Sequence, residues 1–237
     1  MPSLTSHLLR VDDASFQKAT THPFLQAAAT SSLPLPKLKH WLAQDRLYAL
    51  SYVNFIGTLL SQTSIPTGSD RTSTIEWRIA DCLIDCLTNI RTELKLFEDT
   101  ATSEGFLDEI CNVEVERPTR CYQDLFAASV SHGRPLLIGL VILWATEECY
   151  LRAWKHAGSH LDHSLRPKDK DVMQRVFIPN WTSPEFEAFV RRLGGLVNKM
   201  CLEWGVEEGG WVWRECEAAW RQVLWCEGEF WPDVAAD

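Results

Sequence analysis

The segment from Leu38 to Phe55 constrains the fold most. Leu38, Trp41, Leu42, Asp45, Tyr48, Ala49, Tyr52 and Phe55 recur at helical spacing and define one broad face of a single long helix. The helix begins after Leu33-Pro34-Leu35-Pro36 and ends before the loop-like Ser64-Ile65-Pro66-Thr67-Gly68-Ser69-Asp70. A face this wide and this aromatic needs other helices to cover it. The rest of the chain supplies them at the same period.

Phe16, Ala19, Phe24, Leu25 and Ala28 mark a first helical region, broken or bent around Pro23. A third helix is expected from about Ser73 to Glu98, with Ile75, Ile79, Cys82, Leu83 and Cys86 inward. The acidic stretch from Glu98 to Glu116 has room for a shorter one. Pro118 introduces the helix of Tyr122, Leu125, Phe126 and Val130, closed by Gly133. Pro135 opens the most apolar helix, about Leu136 to His156, closed by Gly158, with a polar loop from His160 to Asp171. Ser183-Pro184-Glu185 reads as a helix start, with Ser as N-cap and Pro in the first turn. A final helix covers about Trp211 to Trp231. No repeat or Gly/Ser linker divides the sequence. The expectation is one all-α domain over residues 1–237, a bundle of seven or eight helices.

Composition narrows the function. The net charge of −9 argues against a nucleic-acid surface, which needs clustered Lys and Arg. The longest strongly apolar run, Leu136 to Ala145, is too short to span a bilayer, and neither end reads as a secretory signal or lipid anchor. The eight cysteines form no Cys-x-x-Cys pair and sit in apolar helical patterns, as reduced thiols in a cytoplasmic protein do. Eleven tryptophans are unusual, and most must be partly buried, with their indole N–H groups bonded or wet.

Carboxylates among large apolar residues are the candidates for chemistry. Asp45, Tyr48 and Tyr52 project from one side of one helix together with Trp41. Asp45 there either pairs with a cation or is held in a pocket. Glu147 and Glu148 interrupt the strongest apolar helix just before Tyr150. They point about 100° apart, so at most one faces fully inward. Glu227 shares a face with Phe230 and Trp231, whereas Glu229 points elsewhere. His156, His160 and His163 straddle a glycine and read as solvated side chains, not metal ligands. Phosphate loops, nucleophile elbows and zinc-protease helices are missing from the sequence.

Taken in order, His22-Pro23-Phe24, Trp41-Leu42-Ala43-Gln44-Asp45-x-x-Tyr48, Pro118-Thr119-x-x-Tyr122 and Glu227-x-x-Phe230-Trp231 resemble the TenA or thiaminase II family. The resemblance implies a heme-oxygenase-like all-α fold and salvage of the pyrimidine half of thiamin. One subgroup carries a nucleophilic cysteine in a Cys-x-x-x-Tyr pattern. The other has a glutamate in a Trp-Ala-x-Glu-x-x-Tyr pattern. Trp144-Ala145-Thr146-Glu147-Glu148-Cys149-Tyr150 resembles the second, with Thr146 in the cysteine's register and Cys149 outside it.

By that resemblance Asp45 binds the amino and ring-nitrogen edge of a pyrimidine. Glu227 meets another ring nitrogen or moves protons, and Glu147 stands where attack occurs. Tyr48, Tyr122, Tyr150 and Trp41 line the pocket. The implied activity is hydrolysis of aminomethyl-pyrimidine or its formylated precursor, with a carboxylate activating water. No cofactor or metal is called for, the partner is a small pyrimidine, and a homo-oligomer is expected. The rival readings are an idle pyrimidine binder and a metal-dependent oxidase on the same fold.

Overall fold

Pro34 and Pro36 bracket the start of the longest early helix, α4 (Leu35–Gln62), because proline's fixed φ suits a first helical turn. The computed structural model describes residues 3–235, so Met1, Pro2, Ala236 and Asp237, part of the end segments weighed for signals, lie outside it. Before α4 come α1 (Leu4–Leu8), α2 (Asp13–Thr20) and α3 (Pro23–Ala29). After it come α5 (Ile75–Ser103), α6 (Leu107–Cys111), α7 (Arg117–Ser129) and α8 (Leu136–Gly158). The chain then passes through a π-helical turn, Met173–Phe177, into α9 (Ile178–Trp181), α10 (Pro184–Glu203) and α11 (Trp211–Phe230). The described residues form no strand. Counting only helices of seven residues or more gives eight: α2, α3, α4, α5, α7, α8, α10 and α11.

Local signals set several boundaries. His22 caps α3, its Nδ1 accepting from Phe24 N–H at 3.2 Å. Thr74 caps α5 by accepting from Trp77 N–H at 3.3 Å, and Ser183 caps α10 by accepting from Phe186 N–H at 3.2 Å. Gly133 takes φ +82°, a left-handed turn that redirects the chain into α8. Gly158 does not end α8 as a helix-closing glycine would. It is the last helical residue, and Ser159 still bonds its N–H to Lys155 O at 3.0 Å. The short α1 and α9 and the π-helical turn were not foreseen, because five residues or fewer show no periodicity.

Helix α8 is the axis of the bundle. It packs against α2, α3, α4, α7, α9, α10 and α11, which explains why Leu137 through Ala145 are all buried. Gly139 lets α4 approach closely, since a Cβ there would meet Leu59 Cδ2 at 2.5 Å. Beside α8 lies an aromatic layer. Trp154 stacks on Trp181 with centroids 4.7 Å apart, and Trp41 meets Trp154 at 5.5 Å. Phe24 and Trp231 close the layer at 5.5 Å. Burying such rings supplies much of the core's hydrophobic stabilisation.

Trp41 therefore lies in this layer and not in a pocket wall, contrary to the placement expected from its helical face. The indole N–H groups of Trp41 and Trp154 are also buried without a protein acceptor among the described residues. They meet aromatic rings on most sides.

Candidate active site

Directly above the aromatic layer, six helices enclose a cavity with about 550 Å³ of space not filled by atoms, part of it open to solvent. Its lining, mostly aromatic and apolar with a few convergent polar groups, has the make-up of a small-molecule cleft. Helix α4 contributes Asp45, Tyr48 and Tyr52, one per turn along the stripe read from the sequence. Glu93 comes from α5 and Tyr122 from α7. Helix α8 contributes Thr146, Glu147 and Tyr150, while α10 provides Phe186 and α11 provides Glu227 and Phe230. Asp45 and Glu227 thus face one space although 182 positions separate them (227 − 45).

The motif residues that do not touch the cavity explain how it is built. Gln44 donates to Glu114 O at 2.9 Å and accepts from Glu116 N–H at 3.1 Å and from the Thr119 hydroxyl at 2.6 Å. This clamp fixes the start of α7 and with it Tyr122. Phe24 and Trp231 pack below the site, which carries Glu227 inward four residues earlier on α11.

Each cavity carboxylate accepts a hydrogen bond from an aromatic side chain on another helix. The Tyr150 hydroxyl donates to Asp45 Oδ2 at 2.9 Å, and the Tyr52 hydroxyl to Glu147 Oε1 at 2.6 Å. Tyr122 donates to Glu227 Oε1, and the Trp181 indole N–H donates to Glu93 Oε1. Four carboxylates therefore share one cavity, and among the described residues no Lys, Arg or His lines it.

That imbalance sets the protonation. Burial, reinforced by the charge of Glu93, raises Asp45 well above the ordinary carboxylate range, against the opposing bond from Tyr150. Burial likewise lifts Glu147 to about 8, with Tyr52 pulling down and Glu93 and Glu227 pushing up. Glu227 reaches about 8 from burial against the Tyr122 bond. Glu93 reaches about 7 from burial against the Trp181 bond. Glu147 and Glu93 are partly exposed toward the cavity, but they lie deep enough for desolvation to dominate. Such a set holds protons at neutral pH and can exchange them with a bound base.

Other carboxylates and thiols lie elsewhere. Glu148 does not face open water. It is buried on another side of α8, beside Trp144, where Arg152 Nε donates to it at 2.8 Å. Glu229 is exposed and pairs with Lys18 at 2.6 Å. Cys149 is fully buried outside the cavity lining, and burial pushes its thiol up, away from the reactive thiolate. Thr146 stands at the cavity wall, its hydroxyl donating back to Leu143 O at 2.9 Å. His156 and His160 meet edge to face with ring centroids 4.7 Å apart. Among the described residues, no group of three or more His, Cys, Asp or Glu side chains is arranged to hold a metal ion.

Glu93 went unread in the sequence. Its signal was present: Cys82, Cys86, Ile90, Glu93 and Phe97 continue one inward row of α5 at helical spacing.

The sequence matches the family described as TENA/THI-4/PQQC over residues 10–235. It is similar to a "Probable transcription factor" of Fusarium pseudograminearum, 26% identical over 263 residues covering 98% of this chain. The chain spans only 52% of that relative's length. It is also similar to a "Probable bifunctional TENA-E protein" of Glycine max, 21% identical over 234 residues, covering 96% of this chain and 91% of that protein. Among solved structures, a TenA homologue from Pyrococcus furiosus superimposes with a TM-score of 0.79 at 21% identity, covering 98% of this chain and 100% of the other. A TenA family transcription regulator from Silicibacter has a TM-score of 0.79 at 14% identity, covering 96% and 94%. At these identities the structural likeness is one of fold.

Proposed function

The chain belongs to the TENA/THI-4/PQQC family, and on that premise we propose that it hydrolyses aminomethyl-pyrimidine breakdown products of thiamin, formylated ones included. Family membership supports a hydrolase of thiamin salvage; the choice of substrate rests on the site. The observation that carries it is the convergence of Asp45, Glu147 and Glu227 on one aromatic cavity without a cation.

An aminopyrimidine is flat, basic and rich in donors. Tyr48, Tyr122 and Phe230 pack ring against ring, Tyr48 meeting Tyr122 at 4.9 Å, and give the heterocycle an apolar wall. Asp45 meets its amino and ring-nitrogen edge. Glu227, held by Tyr122, shares a proton with a ring nitrogen. Glu147, held by Tyr52, accepts a proton from water, whose oxygen attacks the carbon bonded to the exocyclic nitrogen. The C–N bond breaks and its electron pair stays on nitrogen, which takes up a proton. With a carboxylate as base, the thiol of the cysteine subgroup is dispensable, in keeping with Thr146 at the wall.

Incubating the purified protein with the formylated and free aminomethyl-pyrimidines, with products separated by chromatography, tests the reading. Release of formate, or conversion to hydroxymethyl-pyrimidine, is expected. Saturable binding without turnover of either would replace it with the idle binder. Turnover that needs added iron would point to the oxidase.

A further inference from the structure

A second cavity, with about 810 Å³ of unfilled space, lies outside the first. The two share only Tyr52, Ile90, Glu93, Glu147 and Phe186 among their lining residues. Asp45, Tyr48, Tyr122 and Glu227 line the inner cavity alone. Asn89, Asn180 and Ser183 line the outer one alone. The shared residues are a neck between a ring-sized chamber and a more open, polar one. Glu93 and Glu147 are the two carboxylates at that neck, from α5 and α8.

We infer that Glu93 is a second catalytic carboxylate, forming with Glu147 one acid–base couple that straddles the bond being broken. This rests on the reading above, in which a pyrimidine sits inside, and on placing its aminomethyl nitrogen toward the outer cavity. With Asp45 and Glu227 holding the ring, the scissile C–N bond falls at the neck. Glu147 takes a proton from water as the oxygen bonds to carbon. The C–N bond breaks, the electron pair goes to nitrogen, and nitrogen takes the proton held by Glu93. One water is consumed. The couple ends with the single proton it began with, now on Glu147, and the active form returns when that proton passes through solvent to Glu93, the less populated of the two single-proton forms.

The surroundings favour such sharing. Facing Glu93 are Asp45 and Tyr52 from α4, Glu147 and Tyr150 from α8, and Glu227 from α11. Glu185 from α10 and Cys86 from α5 border the outer cavity, and Trp181 from α9 donates its indole N–H. None of these groups is a cation. Burial raises Glu93 to about 7 and Glu147 to about 8, so between them the pair keeps a proton near neutrality.

The test compares wild type, Glu93→Gln, Glu93→Asp, Glu147→Gln and the double Gln variant by rate against pH, with calorimetric binding of hydroxymethyl-pyrimidine. Glu93→Gln should lose about 10²–10⁴-fold in kcat with KM and product binding within a few-fold. One limb of the bell-shaped profile should vanish. The double variant should fall no further than the worse single one, as for residues acting as a unit. Glu93→Asp should recover part of the rate with its limb displaced, and decides the matter should the Gln variant not fold. A Glu93 variant that raises KM while keeping both limbs, or losses that multiply in the double variant, would overturn the couple and leave the hydrolase reading standing. A wild-type protein that turns over neither pyrimidine would overturn both.

Discussion

The Tyr52 hydroxyl on α4 donates to Glu147 Oε1 on α8 at 2.6 Å, joining residues 95 positions apart at the neck of the cavity. The bond favours the carboxylate form of Glu147 against the burial that disfavours it. Tyr52→Phe removes only the hydroxyl. Glu147 should then titrate higher, and the acid limb of kcat/KM should move to higher pH. At pH 7 the rate should drop about tenfold and recover partly in alkali. A stability loss of about 1 kcal/mol, typical of one hydrogen bond, is expected in denaturant unfolding. An unmoved limb would show that Glu147 is not the group whose ionisation limits the rate.

Asp45 accepts from Tyr150, which leaves its other oxygen free for a ligand. Asp45→Asn keeps the shape but turns one acceptor into a donor. Binding of hydroxymethyl-pyrimidine, followed by calorimetry, should weaken by about 10–100-fold, or about 1.4–2.8 kcal/mol, and turnover should fall with it. Affinity equal to wild type would remove Asp45 from the ring-binding edge.

The stripe on α4 carried most of what the sequence told. Asp45, Tyr48 and Tyr52 could be placed on one face, and the apolar neighbours Phe230 and Trp231 carried Glu227 inward. Periodicity assigns a residue to a face but not to a depth along it. Trp41 shares the Asp45 row at i, i+4, yet it sits one turn lower, in the aromatic layer. Glu93 was missed for a related reason: a carboxylate in an otherwise apolar row looks like the row's end. Its hydrogen-bond donor, Trp181, stands on a four-residue helix behind a π-helical turn, which no repeat pattern announces. Nor did adjacency settle Glu148, since the α8 flank that it occupies is covered by distant parts of the chain.

The carboxyl cluster has a cost in the empty protein. Glu227 titrates near 4.5 when unfolded and about 8 when folded, so folding takes up a proton between those values. Its native form binds more protons there, and stability falls as pH rises through the window. Below 4.5 the penalty is absent, and above 8 it is complete. Glu147 acts in the same direction. Glu187, lowered by Lys155, acts oppositely and loses its contribution in acid. The thermal midpoint should therefore peak near pH 5 and decline toward pH 8. One such group contributes at most about 1.4 kcal/mol per pH unit, which for a chain of this size is a few degrees. Glu227→Gln, which can still accept from Tyr122, should flatten the decline. A wild-type midpoint that rises steadily from pH 5 to 8 would show that these groups ionise freely in the fold.

The sharpest contrast lies within three consecutive residues of α8. Glu147 faces the cavity, Glu148 pairs with Arg152 on another flank, and Cys149 is sealed in the core. Glu147→Gln should lose about 10²–10⁴-fold in rate, because an amide cannot take a proton from water. Cys149→Ser should keep most of the activity, with a stability loss of about 1–3 kcal/mol from burying a hydroxyl. Glu148→Gln weakens one partly exposed ion pair, so it should cost under about 1 kcal/mol and leave kcat unchanged. Steady-state rates and unfolding midpoints on the three variants, measured together, separate chemistry from packing. An inactive but folded Cys149→Ser beside an active Glu147→Gln would reverse the assignment. It would require a thiol that leaves the core to reach the substrate, a rearrangement of α8 that the Tyr52 bond to Glu147 and the Tyr150 bond to Asp45 both oppose.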